Sequence, residues 1–248
     1  MQRADPRIAD LVQAGKIRVA LFLPQYTKHP VSGELRGLGT GFVAMEITRA
    51  LAARLGVEVR LMEHPTPPQA VASLKSGACD VAFLGIEPSR STEVDFSPPV
   101  VQFDYTYLVP ASSPIYSTAG ADRPGIRIAV VRNHASTLAL GRIVKHAELI
   151  GVELPDSAFD LLRAGHADAF ALPRERLLDY SNKLPGSRVL EDSYGVNLVA
   201  IAVAKGQAGR LAYINEFIEA AKASGLIQRA IDRGALRGFE VALAGKSH

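Results

Sequence analysis

Apolar residues recur along this chain in two alternating rhythms: short β-branched runs, and longer segments with apolar side chains at helical spacing. Residues 18–23 and 57–62 are short, rich in Val and Leu, and bounded by Gly or Pro, which predicts strands. Between them, residues 41–56 keep an apolar face and stop at Gly56, as an amphipathic helix with a glycine terminus does. Residues 68–75 read as a second helix, leading into a buried strand at 80–84. Two strand–helix–strand units in succession favour a parallel sheet. The middle repeats the theme, with a strand at 126–131, a helix at 135–149, a short helix at 158–164 and a strand at 167–172. A helix over 173–182 follows, opening on proline. The chain closes with a strand at 196–203 and helices at 208–224 and 226–233, separated by Gly225.

Two segments, 105–114 and 184–194, mix extended character with turn residues and read as crossings between lobes. The expected organisation is an α/β protein with residues 1–109 and 195–248 in one lobe and 110–194 in the other. Two crossings make a hinge, and a cleft that closes on a ligand follows from it.

Composition narrows the classes. The 248 residues give room for two lobes, since single domains run to about 100–150 residues. Hydrophobic residues at 48% with 21% charged are globular proportions. A net charge of +3 and 6% aromatics leave no basic stripe with stacking residues, so no nucleic-acid partner is expected. The single cysteine, Cys79, excludes an internal disulfide and reads as a small buried hydrophobe beside a strand. His29, His64, His146, His166 and His248 show no metal-ligand spacing, so neither a metal nor another cofactor is expected. No apolar run reaches the roughly 18–20 residues that span a bilayer. The amino terminus lacks the apolar core of a signal peptide, which leaves either a cytoplasmic location or an export signal already removed.

Gly37-Leu-Gly-Thr-Gly41 opens a helix, and Glu63 ends the next strand, which invites a dinucleotide reading. That chemistry needs its glycines directly after a strand, so that the helix terminus meets the pyrophosphate. Here the first strand ends near Leu23, and the glycines instead let a long loop pack tightly against the helix start.

Arg90 lies in Gly85-Ile-Glu-Pro-Ser-Arg-Ser-Thr-Glu-Val-Asp-Phe-Ser97, just past the 80–84 strand. Strands of an α/β sheet deliver their loops to the ligand end of the fold, and a guanidinium there matches a carboxylate with two parallel hydrogen bonds. A lobe-bridging ion pair with Glu93 is the plainer reading of the same residue. The pattern Arg-x-x-Glu-x-x-Phe-Ser resembles the ligand loop of the type II periplasmic solute-binding proteins, in particular the amino-acid-binding family 3. The order of the elements, the opening strand from Ile17 and the Ala72-Ser-Leu-Lys-Ser-Gly-x-Cys-Asp-Val81 stretch resemble that family too.

The resemblance implies a binding protein that captures a small polar or carboxylate-bearing solute and presents it to the membrane component of an ABC transporter. It implies a periplasmic location, a monomer and no catalysis. It places Arg90 on the solute carboxylate, with Glu87 and Ser89 in the same loop. Phe22, Gln25 and Tyr26 fall after the first strand, where family members carry an acidic residue and a ligand-facing aromatic. Asn133, His134 and Ser136 open the helix after the 126–131 strand, where the family carries Gly-Thr or Gly-Ser and a helix terminus can hold an anion. Ser136 also reads as a local helix cap, and His134 as a group titrating near neutrality or simply packing.

Arg174 follows the 167–172 strand and can point inward or outward. Pro173 stands where amino-acid binders commonly place an aspartate for the ligand ammonium, so the carboxylate half of such a site is partly kept and the ammonium half is missing. Two alternatives stay open. One is an enzyme on the same fold, of the cyclohexadienyl dehydratase type, with Glu87, Glu175 or His134 as the acid. The other is the sensor-like relative of a signalling receptor.

Overall fold

The computed structural model describes residues 5–22, 25–132 and 134–243. The chain forms two compact units, one of Met1–Gln102, Leu198–Leu236 and Glu240–His248, the other of Phe103–Asn197 and Arg237–Phe239.

Unit 1 opens with helix α1 (Ala9–Ala14) and strand β1 (Lys16–Phe22), followed by a hairpin of β2 (Tyr26–Lys28) and β3 (Leu35–Gly37). Helix α2 (Thr40–Leu55) is the one the apolar spacing predicts: Val43, Ala44, Ile47, Thr48, Leu51, Ala52 and Leu55 line its buried face. Strand β4 (Glu58–His64), helix α3 (Pro67–Lys75), strand β5 (Val81–Gly85), helix α4 (Pro88–Ser91) and strand β6 (Val94–Phe96) follow. β4 and β5 flank β1 in parallel, as two successive crossovers require.

The glycines before α2 are there for close approach. A Cβ on Gly41 would lie 1.7 Å from the Gln25 carbonyl oxygen, and one on Gly37 would lie 2.5 Å from the Gly41 carbonyl. The hairpin therefore lies directly on the start of α2.

Strand β7 (Val101–Val109) carries the chain into unit 2. There β8 (Arg127–Val131), helix α5 (Ala135–Leu140), β9 (Glu148–Val152), α6 (Pro155–Arg163), β10 (Ala169–Pro173), α7 (Arg174–Ser181) and β11 (Arg188–Val189) succeed one another. The sheet order is β7-β10-β8-β9, with β8 parallel to both β9 and β10. Strand β12 (Gly195–Ala204) returns to unit 1, where it pairs antiparallel with β5 and β6. Helices α8 (Ala208–Ala223) and α9 (Leu226–Arg233) and strand β13 (Phe239–Val241) end the described chain.

One expected element is corrected. The helix read over 135–149 stops at Leu140, and residues 148–152 are strand β9. After Gly141 the backbone N–H groups of Lys145, His146 and Ala147 all turn to the Asp122 carboxylate, at 2.7–3.1 Å. That carboxylate breaks the helical ladder and frees the Leu-Ile-Gly-Val run to pair with β8, from Arg127 opposite Glu148 to Val131 opposite Val152.

The two units share a device that neither lobe's sequence announces alone. In unit 1, the Asp80 carboxylate accepts the Arg18 backbone N–H at 2.7 Å and its guanidinium at 2.7 and 3.0 Å, while the Asp80 N–H donates to the Arg18 carbonyl. In unit 2, Asp168 does the same to Arg127 at 2.8, 2.9 and 3.1 Å. Each aspartate follows a helix and a left-handed glycine, Gly77 at φ 72° and Gly165 at φ 74°. Each clamp fastens the amino ends of two parallel strands, β1 with β5 and β8 with β10. The carboxyl ends of those strands, opposite the clamps, are where every candidate ligand residue lies.

Candidate functional site

Unit 1 contributes the loop after β5 and the turn after β1. Pro88 starts the single turn α4, a position where the missing N–H costs nothing. That turn sets Arg90 half-buried, with its Nη1 donating to the Gly85 carbonyl at 2.9 Å. Glu87 precedes the helix and is buried, and Ser89 is exposed.

The residues after β1 are used by the fold. Phe22 packs, partly buried, on the cluster of Ala20, Val71, Leu74, Cys79 and Leu84. Gln25 is only 5% exposed, and its amide donates to the Phe83 carbonyl at 3.2 Å and to Thr40 Oγ1 at 3.5 Å. Its Oε1 accepts the Phe22 N–H. Gln25 thus ties β1, β5 and the start of α2 together. Tyr26 is buried in the hairpin, and its hydroxyl is pushed up first by that burial and then by Glu63. Cys79 is buried, with the Ser73 hydroxyl 2.9 Å from its sulfur, and burial raises its thiol.

Unit 2 contributes the starts of α5 and α7. Asn133 lies outside the described residues. His134 caps α5, its Nδ1 accepting the Ser136 N–H at 3.2 Å and lying 2.7 Å from Ser136 Oγ. The capping role weighed for Ser136 therefore belongs to His134, and Ser136 is fully buried beneath it. Burial, reinforced by the charge of Arg176, lowers His134 to about 4, so the imidazole is neutral at pH 7 rather than titrating there. Arg174 is mostly buried and engaged by the fold. Its guanidinium donates to the carbonyls of Leu190, Glu191 and Asp192 at 2.7–3.2 Å and pairs with Asp104 at 3.4 Å. It holds the segment between β11 and β12 in place.

Glu175, which the sequence offers only as a candidate catalytic acid, lies on the first turn of α7. Burial raises its carboxyl to about 7, and its Oε2 is buried with no hydrogen-bond partner. Tyr194, which the sequence did not single out, has a buried hydroxyl that interacts with the Ser136 side chain. An aromatic after a turn-rich segment was the only signal for it.

His134 and Glu175 pull stability in opposite directions. The imidazole keeps a proton to about pH 6.5 unfolded but only to about 4 folded, so its contribution is complete above 6.5 and is lost as pH falls from 6.5 to 4. The carboxyl keeps its proton to about pH 7 folded but only to about 4.5 unfolded, so its contribution is complete below 4.5 and is lost as pH rises to 7. Urea titrations at several pH values should show a nearly flat profile for the parent between about 4.5 and 6.5 from these two groups. His134→Asn should lose stability with rising pH there, and Glu175→Gln with falling pH. Three parallel profiles would refute the assignment of both groups.

Among the described residues no cluster of three or more His, Cys, Asp or Glu side chains is placed to hold a metal. No helix among them is long and apolar enough to cross a membrane.

The chain is 24% identical over 182 residues to the glutamine-binding protein of Geobacillus stearothermophilus, covering 72% of this chain and 67% of that protein. It is 25% identical over 181 residues to the virulence sensor protein BvgS of Bordetella bronchiseptica, a stretch that is 71% of this chain but 14% of the sensor. Its fold superposes on the crystal structure of the ancestral amino acid-binding protein AncCDT-1, a precursor of cyclohexadienyl dehydratase, with a TM-score of 0.71 at 24% identity, covering 91% of this chain and 97% of that one. The fold is that of the type II periplasmic binding proteins. With a family model matching residues 26–244, the chain belongs to the bacterial extracellular solute-binding proteins, family 3.

Proposed function

We propose that this protein captures a small polar solute bearing a carboxylate, in the periplasm, and presents it to the membrane component of an ABC transporter. Arg90 carries the reading. A guanidinium held half-buried by its own loop at the carboxyl end of β5 is preorganised for a planar anion. Family membership supports a receptor without chemistry of its own, whose closure draws on the difference in solute affinity between two states. The name of the glutamine-binding relative supports a solute of amino-acid size.

The match to a segment of a virulence sensor favours a second reading, in which the same capture reports to a signalling protein instead of a transporter. The likeness to a dehydratase precursor is a likeness of fold, and that precursor is itself named as an amino acid-binding protein.

Thermal unfolding against amino acids, mono- and dicarboxylates, aromatic acids and polyamines tests the proposal. A solute at a hundredfold excess over its Kd stabilises by about 2.7 kcal/mol, roughly 5–10 °C for a chain of this size. Shifts with carboxylate-bearing solutes and none with polyamines are expected. A panel with no shift for any carboxylate would refute solute capture as stated, and turnover of prephenate by the purified protein would move the assignment to an enzyme.

A further inference from the structure

The sequence predicts two crossings between the units, and the structure adds a further excursion near the carboxyl end. After α9 the chain leaves unit 1 at Leu236, places Arg237, Gly238 and Phe239 in unit 2, and returns at Glu240. The backbone is shaped for this hook. Ala235, which turns the chain out of α9, has φ 47° and is the one non-glycine residue with positive φ among the described residues. That conformation costs a residue with a Cβ about 1–2 kcal/mol. Gly238, at the tip, has φ 76°, where glycine meets no such penalty.

Each part of the hook is built into the unit it belongs to. In unit 2, the Phe239 ring is buried against Phe103, with 4.9 Å between centroids. A Cβ on Gly238 would lie 3.5–3.8 Å from the aliphatic stem of Arg174, which the carbonyls of Leu190, Glu191 and Asp192 hold in place. Phe103 meets Tyr105 edge-on at 6.1 Å, Tyr105 stacks on Tyr194 at 6.0 Å, and Tyr194 on Tyr107 at 4.9 Å. One row of rings thus joins the hook to β7 and to the residue before β12. In unit 1, Glu240 Oε2 accepts from the Gln102 amide at 3.1 Å, and the Ala242 N–H donates to the Val100 carbonyl at 3.1 Å. Val100 also donates its own N–H to Val199 of β12 at 2.7 Å.

All of these contacts fall on β7 around the step from Gln102 to Phe103, where it passes from one unit to the other. β7 pairs with β12 and also with β13, so the ribbon has a third strand at the crossing. Two-stranded ribbons twist more than wider sheets, and three strands hold where two are marginal.

We propose that residues 237–241 are a strap on the hinge, with Phe239 as its positioning residue, and that the strap limits the swing of the units when no solute is bound. Bending β7 at Gln102 and Phe103 pulls Phe239 from Phe103 or breaks the bond from Ala242 to Val100, so wide opening is opposed. This rests on the solute-capture reading for its use. There the strap keeps a larger fraction of the empty protein near the binding-competent state, and that fraction scales the apparent affinity.

Pulsed electron paramagnetic resonance on the solute-free protein tests this. Spin labels go on Glu219→Cys in unit 1 and Glu153→Cys in unit 2, both exposed, in a Cys79→Ala background. Phe239→Ala should broaden the distance distribution. Phe159→Ala removes a similarly buried ring of unit 2 that lies outside the row, and should leave the distribution as in the parent. Unchanged distances in Phe239→Ala, or equal broadening in both variants, would overturn the strap. Hydrogen exchange adds a local readout: the Ala242 N–H should lose protection roughly 100-fold in Phe239→Ala. If that variant fails to fold, exchange in the parent decides. An Ala242 amide as protected as that of Val100 upholds the strap, and one that exchanges like an exposed loop overturns it. Since no solute is present, a ligand panel without a single shift would refute capture and leave this result standing.

Discussion

Replacing Arg90 with alanine is expected to weaken solute binding by about 2–5 kcal/mol, or roughly 30- to 5,000-fold in Kd. The size follows from where the guanidinium is held. Its Nη1 is anchored on the Gly85 carbonyl, and the side chain is half-buried, so a carboxylate meeting it gives up water and relies on the pair. Truncation then leaves the solute charge desolvated without its partner. Arg90→Lys separates charge from geometry: it keeps the cation and loses the planar fork, and should fall between the parent and alanine. Titration calorimetry on all three, with circular dichroism as the check on folding, makes the comparison. An alanine variant that binds like the parent would remove Arg90 from the site.

The second large effect concerns stability. Asp80→Ala should cost about 3–5 kcal/mol, because the side chain is 5% exposed and serves two arginines. It clamps Arg18, and it lies 3.6 Å from Arg210, itself 9% exposed and paired with Asp10 across α1. Removing the carboxylate takes the clamp from Arg18 and one of the two carboxylates facing the buried Arg210 guanidinium. Asp168→Ala breaks the same motif in unit 2, but Asp168 and Arg127 are 33% and 37% exposed, and water replaces the lost partner. The loss there should be much smaller. Urea denaturation of both variants decides the matter, and equal losses would show that burial is not what sets the value of the clamp.

The pair also shows what the sequence made legible. Gly77-x-x-Asp80 and Gly165-x-x-Asp168, each behind an Ala-x-x-x-Leu-basic helix, are a repeat that can be read by eye once sought. The unequal burial of the two clamps cannot be read that way, since it depends on Arg210 arriving from the far end of the chain. Helix α2 and the parallel strands were legible because their burial is periodic and local. The β2–β3 hairpin was not, since its strands of three residues are mostly half-buried or exposed and offer no alternation. The end of α5 was hidden because a distant carboxylate, Asp122, stops it.

Among the candidate ligand residues, Arg90 keeps its place at a strand's carboxyl end, as loop position alone suggests. Gln25 and Arg174 stand at equivalent ends, yet their partners are backbone carbonyls from segments distant in sequence or in another element. Which polar side chains at that end of a strand are taken up by the scaffold is thus set by contacts that periodicity does not encode.

The interrupted path of the chain has a consequence for the order of assembly. Unit 1 opens before unit 2 in chain order, but its strand β12 and helices α8 and α9 are encoded after unit 2. During synthesis the first hundred residues can pair β1 with β4 and β5 while the antiparallel side of β5 stays open. Unit 2 has emerged almost whole by Asn197, before the strand that closes that edge exists. Of the two units, the one that starts first is therefore finished last, and its open β5 edge is the stretch most in need of protection in the nascent chain.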